Sequence, residues 1–221
     1  MADRTTARRL AHESLAQGDT LGWFERLYTE AEGNDRIVPW ADMRVNPNLR
    51  KWLDRGGLTG DGKAALVVGC GLGDDAEALA VLGFKVTAFD ISTTAIDWCR
   101  KRFANSSVDY VVRDLLAPPS SWCKAFDFVL EAYTLQVLPP ELRPKACEQI
   151  AGFVDCDGTL LVISRGRGTD DAPGKMPWPL IRSELDVFCK CSLSEERFDD
   201  YFDDEQPPVR RFRVEYKSDP T

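Results

Sequence analysis

The sequence is short of histidine: His12 is the only one in 221 residues. That shortage removes the commonest general base and the commonest metal ligand from most of the chain. Long apolar runs are also missing, and none approaches the roughly 20 residues that span a bilayer. Positive charge is in deficit, with 28 Lys and Arg against 36 Asp and Glu and a net charge of -8. An acidic surface repels phosphate backbones and anionic lipid, so neither nucleic acid nor a membrane is an expected partner. The stretch from Met1 to Leu10 has no apolar centre of the kind a secretion signal needs, and Asp3 and Glu13 argue against a transit peptide. Matched cysteines are lacking too: Cys70, Cys99, Cys123, Cys147, Cys156, Cys189 and Cys191 are odd in number and scattered. They are expected to be reduced, in a cytoplasmic protein. The close pair Cys189 and Cys191 has no further Cys or His at zinc-finger spacing, so no metal is expected and both are read as small buried residues beside a helix.

What is present is the length of one domain, or one domain with a small appendage. The apolar fraction of 43% is ordinary for a globular chain. From residue 64 to 166, β-branched runs alternate with helical patterns. Strands are predicted over Ala64–Val68, Lys85–Asp90, Val108–Val112, Phe126–Leu130 and Thr159–Ile163. Helices are predicted over Asp74–Leu82, closed by Gly83; over Thr93–Phe103, capped by Ser92; and from Pro139 to Val154. A further helix is predicted over Leu180–Phe188, and the alternating runs at 197–202 and 211–216 read as an antiparallel pair. The fold class is therefore α/β: a Rossmann-like, doubly wound, mostly parallel sheet, a C-terminal antiparallel strand pair and an N-terminal helical lid. Residues 1–60 form the N-terminal helical segment and 61–221 the main domain.

The first strand opens into Gly69-Cys70-Gly71-Leu72-Gly73-Asp74-Asp75. Glycines between a strand and a helix let the backbone turn sharply and approach a nucleotide. In a dinucleotide fingerprint the third glycine would stand at position 74, where this chain has Asp74, followed by Asp75 and Glu77. Carboxylates there repel a pyrophosphate but not S-adenosylmethionine (SAM), which is cationic and carries no phosphate. The same acids also suit a plain strand-to-helix turn, where they favour the helix dipole. Asp90 ends the second strand, where a carboxylate accepts from ribose hydroxyls; a cap for the next helix is the alternative. Asp114 and the amide of Leu115 follow the third strand and suit an adenine edge, or a solvated loop. Glu131 and Tyr133 end the fourth strand, where ligands of open α/β sheets sit, or simply begin a loop.

Taken together, Val67 to Gly73, Phe89 to Ser92, Arg113 to Leu115 and Phe126 to Glu131 resemble the motifs of class I SAM-dependent methyltransferases. Upstream, Trp23 to Tyr28, Val38-Pro39-Trp40-Ala41-Asp42 and Asn46 to Leu49 are similar to the N-terminal region of the thiopurine and halide/thiol methyltransferase group, with Ala41 inserted in the Pro-Trp-Asp element. The resemblance implies SAM as cofactor and an N-terminal segment folded over it. It implies cofactor contacts from Trp23, Trp40, Gly69, Cys70, Gly71, Asp90, Ile91, Asp114, Leu115 and Glu131. Trp40 would pack near the cofactor and Trp23 would line the pocket.

Methyl transfer is an in-line displacement, and positioning alone supplies roughly 7–11 kcal/mol of such a barrier. A thiolate or halide needs no general base, whereas a hydroxyl or amine often does. Only Glu131 and Asp42 stand out as bases, which favours a soft nucleophile. Tyr133, Glu131 and Arg165 are the expected catalytic residues, with Tyr133 and Arg165 orienting a small-molecule acceptor. The protein is expected to be a monomer or homodimer. Alternatives are O- or N-methylation of a small metabolite, a non-catalytic SAM-binding protein, and an NAD-dependent oxidoreductase sharing the strand, loop and Asp90 pattern.

Overall fold

A computed structural model describes residues 4–218; Met1, Ala2 and Asp3 of the N-terminal stretch lie outside the described residues. The helices are α1 (Thr5–Ala16), α2 (Gly22–Ala31), α3 (Pro47–Leu53), α4 (Asp74–Val81), α5 (Thr93–Arg102), α6 (Arg143–Phe153) and α7 (Arg182–Lys190). The strands are β1 (Ala64–Val68), β2 (Lys85–Asp90), β3 (Asp109–Val112), β4 (Phe126–Ala132), β5 (Val154–Arg165), β6 (Leu193–Phe202) and β7 (Arg210–Ser218). Their order in the sheet is β3-β2-β1-β4-β5-β7-β6, with β7 antiparallel to both of its neighbours. This is the Rossmann-like, mostly parallel α/β arrangement expected from the sequence, including the C-terminal antiparallel pair. No helix among the described residues is long and apolar enough to cross a membrane.

The chain packs into two compact units. One runs to Gly62 and resumes over Gly69–Asp114. Its helix α1 buries Ala7, Leu10, Ala11 and Ser14, the spacing of a single helical face. Helix α2 buries Trp23, Leu27, Tyr28 and Ala31 in the same manner. Each fully buried leucine contributes about 2 kcal/mol, and Leu10 and Leu27 are both 0% exposed. Ser92 caps α5 by accepting from the Ala95 amide at 3.0 Å, and Arg100, Lys101 and Arg102 complement its C-terminal dipole. Strand β2 lies parallel to β3 with Asp90 opposite Val112.

The other unit comprises Lys63–Val68 and everything from Leu115 onward. Strands β1 and β4 are parallel with Val68 opposite Glu131, and β4 and β5 are parallel with Ala132 opposite Ile163. Leu160, Leu161, Val162 and Ile163 are all 0% exposed, which is why this stretch reads as an unbroken apolar run. Strand β5 begins at Val154 rather than at 159, because Asp157 adopts a left-handed conformation (φ 59°) beside Gly158 and the register with β4 shifts between Phe126 and Phe128. The helix expected from Pro139 begins at Arg143 instead. A 3-10 turn over Pro140–Leu142 precedes it, and the proline in its first turn is Pro144. The two late cysteines depart from expectation: Cys189 is exposed and Cys191 partly so, at the solvent-facing end of α7. No metal-binding cluster of His, Cys, Asp or Glu occurs among the described residues.

Candidate active site

Within the first unit, Gly69, Gly71 and Gly73 have φ values of 60°, 54° and 90°, a left-handed conformation that favours glycine. The turn carries the Cys70 amide to the Phe89 carbonyl at 2.8 Å and the Gly71 amide to Asp90 Oδ2 at 3.0 Å. Asp90 also accepts from the Ser92 amide at 3.0 Å. Burial pushes the Asp90 carboxyl up to about 6, and these backbone donors oppose the rise. A Cβ at Gly71 would stand 3.4 Å from Tyr28 Oη and 3.6 Å from Trp40 Cδ1, so aromatic rings flank the loop.

A cleft of about 410 Å³ is lined by Gly18, Asp19, Thr20, Leu21, Gly22, Glu25, Asp114 and Ile91, the residue after Asp90. Its charged lining residues are Asp19, Glu25 and Asp114, with no cation among them. That set of carboxylates suits a cationic, phosphate-free ligand. Ile91 and Asp114 were expected here from the sequence; Asp19 and Glu25 were not. Glu25 accepts from Ser92 Oγ at 2.5 Å, Thr94 Oγ1 at 2.6 Å and the Thr94 amide at 3.2 Å. Burial works against its ionisation, but these donors hold the carboxyl below its usual range. Asp19 receives the Gly22 amide at 2.8 Å, and a Cβ at Gly22 would fall 1.9 Å from Asp19 Oδ2. The glycine-bracketed run Gly18-Asp19-Thr20-Leu21-Gly22 was the available signal.

The acids behind the glycine loop have other partners than a ligand. Asp74 pairs with Arg102 through two contacts of 2.8 and 2.9 Å. Asp75 accepts from the Asn46 amide at 2.7 Å, and burial pushes its carboxyl up to about 6. Glu77 accepts from Tyr110 Oη at 2.7 Å. Gly73 is required for packing, since a Cβ there would lie 2.5 Å from Tyr110 Oη. The early third glycine and its acids therefore fasten α4 to its own unit.

The aromatic residues divide. Trp40 is partly exposed and donates from Nε1 to Tyr28 Oη at 2.7 Å. Trp23 is 1% exposed, stacked on Phe24 with centroids 3.9 Å apart and edge-on to Trp40 at 6.1 Å. It is a core side chain that supports Trp40 and Phe24 rather than an open pocket wall. The neighbouring Cys99 thiol and burial push the Cys70 thiol well up, which disfavours a nucleophilic thiolate.

Within the second unit, Leu115 is buried and 8% exposed. Glu131 is 0% exposed. Its Oε1 accepts from the amides of Thr134 at 2.7 Å and Leu135 at 2.9 Å, while Oε2 has no hydrogen-bond partner among the described residues. Burial pushes this carboxyl up to about 7. Tyr133 follows β4 in a left-handed conformation (φ 70°) and donates its amide to the Ile163 carbonyl at 2.9 Å. Arg165 ends β5, and its amide donates to Gln136 Oε1 at 2.7 Å. Tyr133 and Arg165 thus lie at the carboxyl ends of neighbouring parallel strands. Arg211, which no sequence pattern singles out, sits opposite Arg165 on β7, with its guanidinium 5.0 Å from the Tyr133 ring centroid.

Residues 65–158 match the family described as a methyltransferase domain. The fold agrees: the chain superposes on the crystal structure of a Burkholderia thailandensis 1,6-didemethyltoxoflavin-N1-methyltransferase with bound S-adenosylhomocysteine, with a TM-score of 0.67, 17% identity and coverage of 94% of this chain and 90% of that one. The chain carries a methyltransferase domain over residues 65–158 and has the Rossmann-like fold of SAM-dependent methyltransferases. In sequence it is similar to a probable thiol methyltransferase 2 of Arabidopsis thaliana, 24% identical over 82% of this chain and 76% of that protein. It is also similar to thiocyanate methyltransferase 1 of the same organism, 26% identical over 69% of this chain and 63% of that protein.

Proposed function

We propose that the methyl acceptor is a small soft nucleophile, a thiol, a halide or a related anion, that arrives deprotonated. The observation that carries this reading is the state of the candidate bases. Glu131 is enclosed and engaged as a cap, while Asp42 and His12 are exposed. An acceptor that must lose a proton during attack would need a base in contact with it. The similarity to thiol and thiocyanate methyltransferases points the same way.

SAM supplies a sulfonium methyl group, and the bond from acceptor to methyl carbon forms as the carbon–sulfur bond breaks. The chain's own residues bind and orient. The Asp90 carboxylate, fixed by the Gly71 and Ser92 amides, accepts from ribose hydroxyls. Asp114 and the Leu115 amide hold the adenine edge, with Ile91 against the ring. Gly69, Cys70 and Gly71 bring the backbone close to the amino-acid end, and Trp40 packs on the cofactor with Trp23 behind it. Glu131 shapes the turn that carries Tyr133, and Tyr133 and Arg165 orient the acceptor. Residues 1–60 cover the cofactor site, with Glu25 as the latch between α2 and α5. The enzyme works in the cytoplasm as a monomer or homodimer.

Incubation with methyl-labelled SAM and a panel of hydrosulfide, thiocyanate, iodide, phenols and amines tests the reading. Labelled product from the sulfur or halide acceptors is expected. Turnover confined to phenols or amines overturns it.

A further inference from the structure

The turn between β6 and β7 brings a charged cluster to the end of β5. The Arg211 side chain is 4% exposed. Its Nε donates to Asp203 Oδ2 at 2.5 Å and its Nη2 to Glu205 Oε1. Asp203 is fixed in turn by the amides of Glu205 at 3.1 Å and Val209 at 3.0 Å. The other oxygen of Glu205 lies 3.9 Å from Arg165 Nη2, so one carboxylate touches both arginines. The guanidinium held in this way faces the Tyr133 ring. Tyr133 is the residue most in need of such support, because a left-handed backbone at a side chain of this size persists only where its surroundings hold it.

We propose that Arg211 is a positioning residue for methyl transfer: clamped by Asp203 and Glu205, it stacks on Tyr133 and fixes the orientation of the phenol at the acceptor end. The proposal rests on the assignment of Tyr133 to the acceptor. The guanidinium suits this task because it is flat enough to stack and forked enough to hold two carboxylates at once. A lysine keeps the charge and loses both properties. The β6–β7 turn thereby becomes part of the catalytic apparatus without touching a substrate.

The test uses full-length protein carrying 3-fluorotyrosine, with Y133F identifying the Tyr133 signal among the five tyrosines. A single sharp fluorine resonance is expected for Tyr133 in the wild type. R211K and D203N should shift and broaden it while the other four signals stay in place. Two variants are used so that a fold too weak to study in one leaves the other. With hydrosulfide as acceptor, R211K should lower kcat/KM about tenfold by loosening orientation, without changing S-adenosylhomocysteine affinity. R211K combined with Y133F should lose no more than Y133F alone. A merely structural role would lower the melting temperature and leave the Tyr133 resonance unmoved in the folded variants, which overturns the proposal. Fully additive kinetic losses overturn it as well. A responsive resonance in an enzyme that does not methylate hydrosulfide sinks the soft-acceptor reading and leaves the positioning role standing.

Discussion

The two units hold the charged groups of their candidate sites differently. In the first, Asp90 is held by two backbone amides and Glu25 by two hydroxyls and an amide, all at the start of α5. In the second, buried arginines are held by acidic side chains: Arg211 by Asp203 and Glu205, Arg143 by Glu184, Arg213 by Asp199. Glu131 is the exception, with one oxygen held by two backbone amides and the other with no hydrogen-bond partner among the described residues. A site built on amides is dictated by backbone conformation and travels with a short motif. A site built on side-chain pairs depends on residues distant in sequence and is free to vary with the acceptor.

The largest effect that separates the units is expected at Glu131. Its carboxyl rises from 4.5 to about 7 on folding. Between those values the unfolded chain has released the proton while the folded chain still holds it, so this group's stabilising contribution is greatest at the acid end and falls as pH rises. A rise of this size is worth on the order of 3 kcal/mol across the window. E131Q should flatten this part of the dependence, measured as urea unfolding of both proteins at each end of the window. Asp90 contributes in the same direction, from 3.8 to about 6, in both proteins. An unchanged pH profile in E131Q would mean that the orphaned oxygen is better served than its surroundings indicate.

A smaller effect sharpens the account of the first unit. S92A removes both the cap of α5 and a donor to Glu25. Loss of a cap of this kind costs about 1–2 kcal/mol, read as a lower urea midpoint. The smallest effect is expected outside both sites. Arg9 makes exposed contacts with Glu13 on α1 and Glu30 on α2, and R9A should lower the urea midpoint only slightly.

The same contrast decides what could be read from the sequence. Strands β1 and β2 stand where expected because short apolar runs bounded by glycine leave few other options. The Ser92 cap and the C-terminal antiparallel pair were equally visible, since both are local patterns. Helix α6 starts later than its sequence suggests because Pro139 and Pro140 each fit a first helical turn, and only the 3-10 turn before Pro144 shows which proline occupies it. The acids after Gly73 pointed to a cationic ligand, yet their partners are Arg102, Asn46 and Tyr110. The carboxylates that line the cleft, Asp19 and Glu25, come from the N-terminal helices, and no periodicity marks them. Arg211 and Glu205 were invisible for a related reason: more than 70 residues separate Tyr133 from the partners that fix it.

The central proposal is that Asp90 serves the cofactor while Tyr133 serves the acceptor. Calorimetric titration of S-adenosylhomocysteine into the wild type, D90A and Y133F tests it most directly. Loss of charge-assisted hydrogen bonds to the ligand should weaken D90A by about 100-fold, while Y133F should bind as the wild type does. Wild-type affinity in D90A, or a comparable loss in Y133F, would contradict the division.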